Sequence, residues 1–166
     1  MDLTTSDNTQ IFLNANKDKF ELSHNVVQQM QSYVQDKPTG KEAGGILLGR
    51  YVLGCGDVVV DKITVPMKGD QRSRFHFFRS AHLHQQAINE TWISSGGTCN
   101  YLGEWHTHPE SDPTPSFIDT LGWRKKLLID RFDSDVLYFV IVGIKQINVW
   151  QGNRKTFTVE KLRKID

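Results

Sequence analysis

The sequence of 166 residues predicts a mixed α/β (α+β) domain in which a largely antiparallel β-sheet is flanked by helices. Three observations support this class. Short aliphatic and β-branched runs recur along the chain, segments with helical spacing of apolar residues separate groups of them, and most strand-like runs are adjacent in sequence. Adjacent strands pair most simply as antiparallel neighbours, which favours this arrangement over a doubly wound parallel sheet. The length suits one ordinary domain, and we expect residues 1–166 to form it.

The first half of the chain predicts two strands, a helix and a β-hairpin. Residues 10–15 (QIFLNA) predict a strand. The helix is predicted by apolar residues at helical spacing, which are Leu22, Val26, Val27, Met30, Tyr33 and Val34. Residues 44–54 and 57–65 are aliphatic runs around a Gly-Cys-Gly turn, a pattern typical of a hairpin. Residues 74–80 (RFHFFRS) predict one further strand.

The second half predicts two helices and four strands. Ser80 is placed to cap a helix that ends at Gly96 and Gly97, and Ser116 is placed to cap another. The apolar positions of these helices are Ala81, Leu83, Ala87, Ile88 and Trp92 in the first, and Phe117, Leu121, Leu127 and Leu128 in the second. The four predicted strands are residues 99–108, 136–143, 147–152 and 157–162.

Composition argues against several classes of partner. Charged residues make up 23% of the chain, hydrophobic residues 38%, and the formal net charge is +1, so nothing points to a polyanion. No apolar run approaches the roughly 20 residues that span a bilayer, and the start lacks the features of a signal peptide. We therefore expect a cytoplasmic protein with no nucleic-acid or membrane partner. The distant Cys55 and Cys99 are expected to be buried thiols rather than a disulfide.

Residues 103–119 (GEWHTHPESDPTPSFID) concentrate side chains that can bind a metal ion. Side chains alternate along a strand, so His106 and His108 are expected on one face, within reach of one ion. A catalytic zinc ion generally has three protein ligands and one water. Asp119 is the natural third ligand, because Ser116-x-x-Asp119 also has the pattern of a helix start that presents Asp119 in its first turn.

Other residues with suitable chemistry have less specific contexts. His82-x-His84 has the same spacing but lies in a predicted helix, where the two rings diverge, so both are expected to be partly exposed polar residues. A hydrolytic site also needs a proton shuttle, and Glu42 and Glu104 compete for that role. Spacing alone does not choose between them. Glu104 has two further interpretations, as the partner of a histidine ring or as a solvated charge at a strand end.

Several residues near these motifs are expected to be structural. Trp105 and Thr107 fall on the strand face opposite the histidines and should pack inward, and Trp123 is expected to join the core rather than contact a substrate. A nucleophilic role for Cys99 has no supporting pattern around it. The basic run 124–126 is expected to be a solvated helix face. The H-E-x-x-H and nucleobase-deaminase motifs are absent from the sequence.

Taken together, the motif residues resemble the JAMM (JAB1/MPN) zinc metalloprotease motif. That motif has an upstream Glu, H-x-H, seven residues, Ser, two residues and Asp. Here Glu42 opens EAGGILLGR, the pair in HTHP is followed by residues 109–115, and Ser116 and Asp119 complete the pattern. Most of the chain is compatible with the JAB1/MPN fold that the resemblance implies.

The resemblance also implies an activity, which is hydrolysis of isopeptide or peptide bonds at the C-terminus of ubiquitin-like proteins. It implies one zinc ion per chain, bound by His106, His108 and Asp119. Glu42 would be the general acid/base, which decides the contest for the proton shuttle, and Ser116 would stabilise the oxyanion. The physical roles agree, since zinc activates water and a carboxylate moves its proton.

Within that family, residues 77–116 are most similar to small prokaryotic members encoded beside cyclic-nucleotide synthases (CD-NTases) in CBASS antiphage operons. The implied function is removal of a conjugated CD-NTase by cleavage after its C-terminus, so the implied partner is a protein with a conjugated C-terminal tail. Processing of a ubiquitin-like sulfur carrier is an alternative function. A non-catalytic MPN scaffold is another, although all five motif positions are filled here.

Overall fold

The computed structural model describes residues 7–165, which build one broad β-sheet with helices on both faces. The strands are β1 Gln10–Leu13, β2 Lys19–Leu22, β3 Gly44–Tyr51, β4 Val58–Ile63, β5 Gln71–Arg72, β6 Phe77–Phe78, β7 Asn100–Thr107, β8 Val136–Val142, β9 Ile147–Asn153, β10 Thr158–Lys161 and β11 Arg163–Ile165. The helices are α1 His24–Gln31, α2 Ala81–Ser94 and α3 Phe117–Ile129. None of these helices within residues 7–165 has the length and apolar character needed to cross a bilayer.

Within the described residues, nine strands join in the order β10-β9-β8-β7-β3-β4-β2-β1-β11. Neighbours are antiparallel except for the pairs β2–β4 and β7–β8, which are parallel. The predicted fold class is confirmed, and so is the hairpin of β3 and β4. Strands β5 and β6 form a separate two-stranded unit, which we call the wall hairpin (residues 71–78).

Successive side chains of a strand enter different core clusters, because they alternate across the sheet. On β8, the residues that pack in the cluster with α1 are Tyr138, Val140 and Val142, and those that pack in the cluster beneath α3 are Leu137, Phe139 and Ile141. On β3, Leu47 belongs to the α1 cluster, while Ile46 and Leu48 pack with Ile88 of α2. Helix α1 therefore covers one face of the sheet, and α2 and α3 cover the other.

Strand β7 lies at the centre of the sheet and carries a bulge. Its register with β3 shifts beside Gly103, which has φ +141° and no room for a Cβ against the Tyr138 carbonyl oxygen. Only glycine adopts this conformation readily. Beyond the bulge, Trp105 and Thr107 are buried as expected, with Trp105 in the α1 cluster. Because the side chains alternate, His106 faces the side covered by α2 and α3.

The bounds of several helices and strands differ from the predicted ones. Helix α1 begins after Ser23, and Leu22 closes β2, a strand that the apolar spacing did not separate from the helix. Residues 74–80 contain only the two strand residues of β6. The last strand, β11, was not predicted. Short strands at the edge of a sheet depend on partners distant in sequence, so local patterns predict them poorly.

Two predictions about buried side chains differ from the structure. On α3, Leu127 is buried, but Phe117, Leu121 and Leu128 are exposed, because only one side of this helix meets the sheet. Trp123 is buried and stacks on the ring of Phe139, as expected for a core residue.

Both cysteines are free thiols. Cys99 is buried as predicted, whereas the same prediction was wrong for the exposed Cys55 in the β3–β4 turn.

Candidate metal centre

Two elements bring three potential metal-binding side chains together. Strand β7 contains His106 and is followed directly by His108, and the first turn of α3 carries Asp119. His106 Nε2 lies 3.0 Å from His108 Nε2, and the two carboxylate oxygens of Asp119 lie 3.2 Å from one Nε2 each. A tetrahedral ion with bonds of about 2.0–2.1 Å requires donor atoms about 3.3 Å apart. The three side chains converge as the sequence predicted, and their spacing is compatible with a bound metal ion.

The loop 109–115 returns the chain from β7 to α3. Asn148 of β9 donates to the Pro113 carbonyl at 2.9 Å, which fixes the loop against the sheet. At its end, Ser116 Oγ accepts from the Asp119 N–H at 3.1 Å, and an Asp119 carboxylate oxygen accepts from the Ser116 N–H at 2.7 Å. This reciprocal pair is a capping box, and it forms at the helix start that was predicted from Ser116 and Asp119. The same contacts that start the helix also orient the Asp119 carboxylate toward the rings.

Glu110 is a site residue that sequence reasoning missed. Its Oε1 lies 3.1 Å from His108 Nδ1, the ring nitrogen opposite the donor atom. A carboxylate in that position fixes the ring orientation and leaves Nε2 free to act as a ligand. The only sequence signal for this role of Glu110 was its position two residues after His108, a candidate ligand. Such spacing is common in polar loops and indicates little by itself.

The charges within the donor set favour an ionised carboxylate. Burial raises the pKa of Asp119, but the hydrogen bonds from His106 and His108, the charge of His106 and the hydrogen bond from the Ser116 N–H together outweigh burial and hold this pKa well below its ordinary value. Burial lowers the pKa of His108, but the hydrogen bond to Asp119 and the charges of Asp119, Glu42 and Glu110 outweigh it, so this pKa is raised. Asp119 therefore stays negative at neutral pH, as a metal ligand requires.

Glu42 lies beside the donor cluster. It precedes β3, which pairs with β7 so that Gly44 lies opposite His106. Its Oε1 is 4.0 Å from His108 Nε2, and its side chain is only 6% exposed. Burial raises the pKa of Glu42 from 4.5 to about 7, although the charges of the two histidines oppose the shift. A carboxyl group with this pKa can both accept and return a proton near neutral pH.

The raised pKa values predict how the stability of metal-free protein depends on pH. The pKa of His108 is raised, and that of Glu42 is raised to about 7, so both groups hold protons more tightly in the folded chain than in the unfolded chain. This stabilisation is complete below the unfolded pKa values and is lost as the pH rises through the folded ones. We expect chelator-treated protein to show a higher Tm at pH 6 than at pH 8 in thermal unfolding.

Zinc-loaded protein provides the control for this measurement. Protons compete with a metal ion for histidine nitrogens, so the gain in Tm from zinc should be smaller at pH 6 than at pH 8. The lowered pKa of Asp119 contributes stability above its unfolded value of 3.8 and therefore does not change between these two pH values. A chelator-treated protein that is more stable at pH 8 would contradict the protonation described for His108 and Glu42.

Glu104 neither orients a histidine ring nor extends into solvent, which were the two structural interpretations given for it. Its carboxylate accepts from Arg79 Nη1 at 2.9 Å and lies 3.3 Å from Lys126 Nζ, and its side chain is 15% exposed. Two cations therefore hold it, rather than a histidine ring or solvent. The expected solvated basic face is correct for the exposed Arg124 and Lys125, but it is wrong for Lys126, which is half-buried against this carboxylate.

A cleft of about 260 Å³ opens beside the donor cluster. One wall consists of residues 75–79, which include the end of the wall hairpin, and the other wall is α3, with residues 104–106 of β7 between them. Phe75, Phe78 and Ile118 line the cleft and are exposed. Exposed apolar side chains grouped around a cleft are typical of sites that bind another protein chain.

The second H-x-H pair does not have the expected exposure. His82 is exposed, but His84 is buried, with Nε2 2.9 Å from Asp70 Oδ2 and Nδ1 2.7 Å from Thr64 Oγ1. The Asp70 carboxylate also accepts from backbone N–H groups at both ends of the segment 67–80, which contains the wall hairpin. Both ring nitrogens of His84 are thus occupied by protein groups. The His84–Asp70 pair therefore anchors the wall hairpin, and neither ring nitrogen of His84 is available to bind a metal ion.

A family profile described as prokaryotic homologs of the JAB domain matches residues 24–156. The chain belongs to this family. Two relatives of this JAB-domain protein are each named CD-NTase/cGAS isopeptidase. The one from Escherichia coli (strain TW11681) is 34% identical over 157 residues, covering 95% of this chain and 96% of the relative. The one from Vibrio cholerae serotype O1 is 37% identical over 141 residues, covering 85% of each chain.

Solved structures support the fold of this JAB-domain protein. The solution structure of a protein from Desulfitobacterium hafniense matches with a TM-score of 0.59 and 21% identity, covering 84% of this chain and 87% of the other. That likeness concerns the fold alone. Membership of the JAB family and the isopeptidase names of the relatives support a hydrolase.

Proposed function

We propose that this chain is a single-domain, zinc-dependent isopeptidase that spans residues 1–166 and acts in the bacterial cytoplasm. Its proposed substrate is a CD-NTase joined through its C-terminal tail to another protein, and its proposed role is to reverse that conjugation in CBASS antiphage defence. One observation carries the proposal. His106, His108 and Asp119 converge with Glu42 beside them, in a chain whose relatives are named CD-NTase/cGAS isopeptidase.

The proposed zinc ligands are Nε2 of His106, Nε2 of His108 and one carboxylate oxygen of Asp119. Their mutual spacing and the ionised state of Asp119 support this assignment. The Glu110 carboxylate would keep the His108 ring in its ligand orientation. Bound zinc supplies two effects, since it lowers the pKa of a water molecule to about 7 and polarises the scissile carbonyl.

The protein groups then carry out the proton transfers. Glu42 accepts the proton of the attacking water and returns it to the leaving lysine amine, so that one amide and one water give a carboxylic acid and an amine. Ser116 has its Oγ acceptor occupied by the Asp119 N–H, which leaves its hydroxyl proton free. That proton can be donated to the carbonyl oxygen as negative charge develops there.

The test uses a CD-NTase whose C-terminal carboxyl is joined to a lysine side chain of a target protein. We expect zinc-loaded enzyme to release both proteins, a chelator to stop the reaction, and added zinc to restore it. Metal analysis should find close to one zinc per chain. A sulfur-carrier fusion is assayed in parallel. Cleavage of that fusion alone would overturn the substrate assignment, and a fully zinc-loaded protein that cleaves neither would favour a scaffold.

A further inference from the structure

The backbone of Glu42 is held by the wall hairpin. The Glu42 N–H donates to the Ser73 carbonyl at 2.7 Å, and Arg72 Nε donates to the Glu42 carbonyl at 2.7 Å. Glu42 is not part of the hydrogen bonding between β3 and β7. The first hydrogen bonds across these strands are those between the Ala43 backbone and Thr107. The wall hairpin therefore provides the hydrogen bonds to both the N–H and the carbonyl of Glu42, which define the backbone conformation at this residue.

Arg72 contributes the stronger constraint on this peptide. Its guanidinium group donates to two successive carbonyls, that of Glu42 through Nε and that of Lys41 through Nη2 at 3.3 Å. Hydrogen bonds from a charged donor are about twice as strong as neutral ones, and a planar fork fixes direction as well as distance. Holding both carbonyls sets the direction in which the Glu42 side chain leaves the backbone toward His108.

The hairpin has its own attachment to the domain, independent of Arg72. Gln35 Nε2 donates to the Arg74 carbonyl at 2.8 Å, and Arg74 Nη1 donates to the carbonyls of Lys37 and Pro38 at 3.0 and 2.7 Å. Asp70 fixes the segment from the other side, as described above. Loss of the Arg72 side chain therefore leaves the hairpin in place and removes the bonds to the Glu42 and Lys41 carbonyls, so that the Ser73 bond alone holds the Glu42 backbone.

We propose that Arg72 is a positioning residue for Glu42, which sets the carboxylate at the distance needed for proton transfer. This inference rests on the proposed isopeptidase function. Residues 75–79, at the end of the same hairpin, form one wall of the cleft, so a single element both lines the cleft and holds the backbone of Glu42. A displacement of a catalytic group by about 1 Å is enough to lower a rate up to 100-fold.

The test compares Arg72→Ala and Arg72→Lys with the matched control Arg74→Ala. Each alanine variant removes a guanidinium group from the same hairpin, but only Arg72 contacts the Glu42 backbone. We expect Arg72→Ala to lower kcat about ten-fold with KM changed less than about two-fold. Arg72→Lys keeps one donor and should recover part of the rate. Arg74→Ala should keep kcat within about two-fold of the wild type, because the contacts of Gln35 and Asp70 still hold the hairpin.

Hydrogen exchange of the Glu42 amide gives a readout that needs no substrate. It should be several-fold faster in Arg72→Ala and unchanged in Arg74→Ala, with one zinc per chain in all variants. The inference is overturned if Arg72→Ala keeps full kcat and slow exchange, if it loses zinc, or if Arg74→Ala lowers kcat equally. If the wild type cleaves no conjugate, the proposed function fails, and the exchange rates alone still decide whether Arg72 holds Glu42.

Discussion

Glu42→Gln is expected to lower kcat by about a thousand-fold while zinc remains bound. Glutamine preserves the size of the side chain and its place beside His108, but it cannot accept a proton from water. General base catalysis contributes roughly 10²–10⁴-fold, so removal of the base costs a rate in that range. The 4.0 Å separation of Glu42 Oε1 from His108 Nε2 places this carboxyl beside the proposed zinc ligands without making it one of the three converging donors. Steady-state kinetics and metal analysis on the same sample provide both values.

Glu104→Gln is the matched control, because it makes the same chemical change in the other glutamate that lines the cleft. Glu104 is paired with Arg79 and Lys126, so its carboxylate is not available as a base. We expect this variant to lose less than about ten-fold in kcat, through a looser cleft wall. If Glu104→Gln were the more damaging of the two variants, the assignment of the base would be wrong.

Asp119→Asn is expected to lower the affinity for zinc at least 100-fold and to remove activity with it. The substitution replaces the one negatively charged side chain of the proposed ligand set by a neutral amide, while the two histidines remain. The asparagine oxygen can still accept from the Ser116 N–H, so the start of α3 should persist. Zinc titration with a competing chelator measures the affinity, and circular dichroism checks the helix.

Asp112→Asn makes the same change a few residues earlier in the loop. Asp112 accepts from Asn148, and its carboxylate is not among the three converging donors. We expect its zinc affinity to equal that of the wild type. Unchanged zinc binding by Asp119→Asn would show that the ion is bound elsewhere, and the proposed centre would then be incorrect.

The sequence predicted those features of the site that depend on short-range geometry. Alternation along the predicted strand placed His106 and His108 on one face, and the spacing from Ser116 to Asp119 predicted a helix start that presents Asp119 in its first turn. These relations span a few residues of one strand or one helix turn, where backbone geometry alone determines direction. Glu42 was different. Spacing alone could not choose between Glu42 and Glu104 as the proton shuttle, and only the family resemblance favoured Glu42. The structure then showed that Glu104 is paired with two cations, whereas Glu42 lies beside His108.

The features that sequence analysis missed depend on partners in other elements. The burial of His84 follows from Thr64 on one side and Asp70 on the other, neither of which lies in its helix. Glu104 is similarly paired with residues from opposite walls of the cleft. On α3, apolar residues occur on all sides, so helical spacing could not separate the buried Leu127 from the exposed Leu128. Spacing along one segment carries no information about such contacts.

The chain order of the site residues has a consequence for folding. The three converging donors all lie within residues 106–119, so bringing them together closes a short loop at small entropic cost. Glu42 joins them only after β3 pairs with β7 across a much longer separation, and pairings of that kind form slowly. Convergence of the three donors and placement of Glu42 beside them are therefore separate steps in folding.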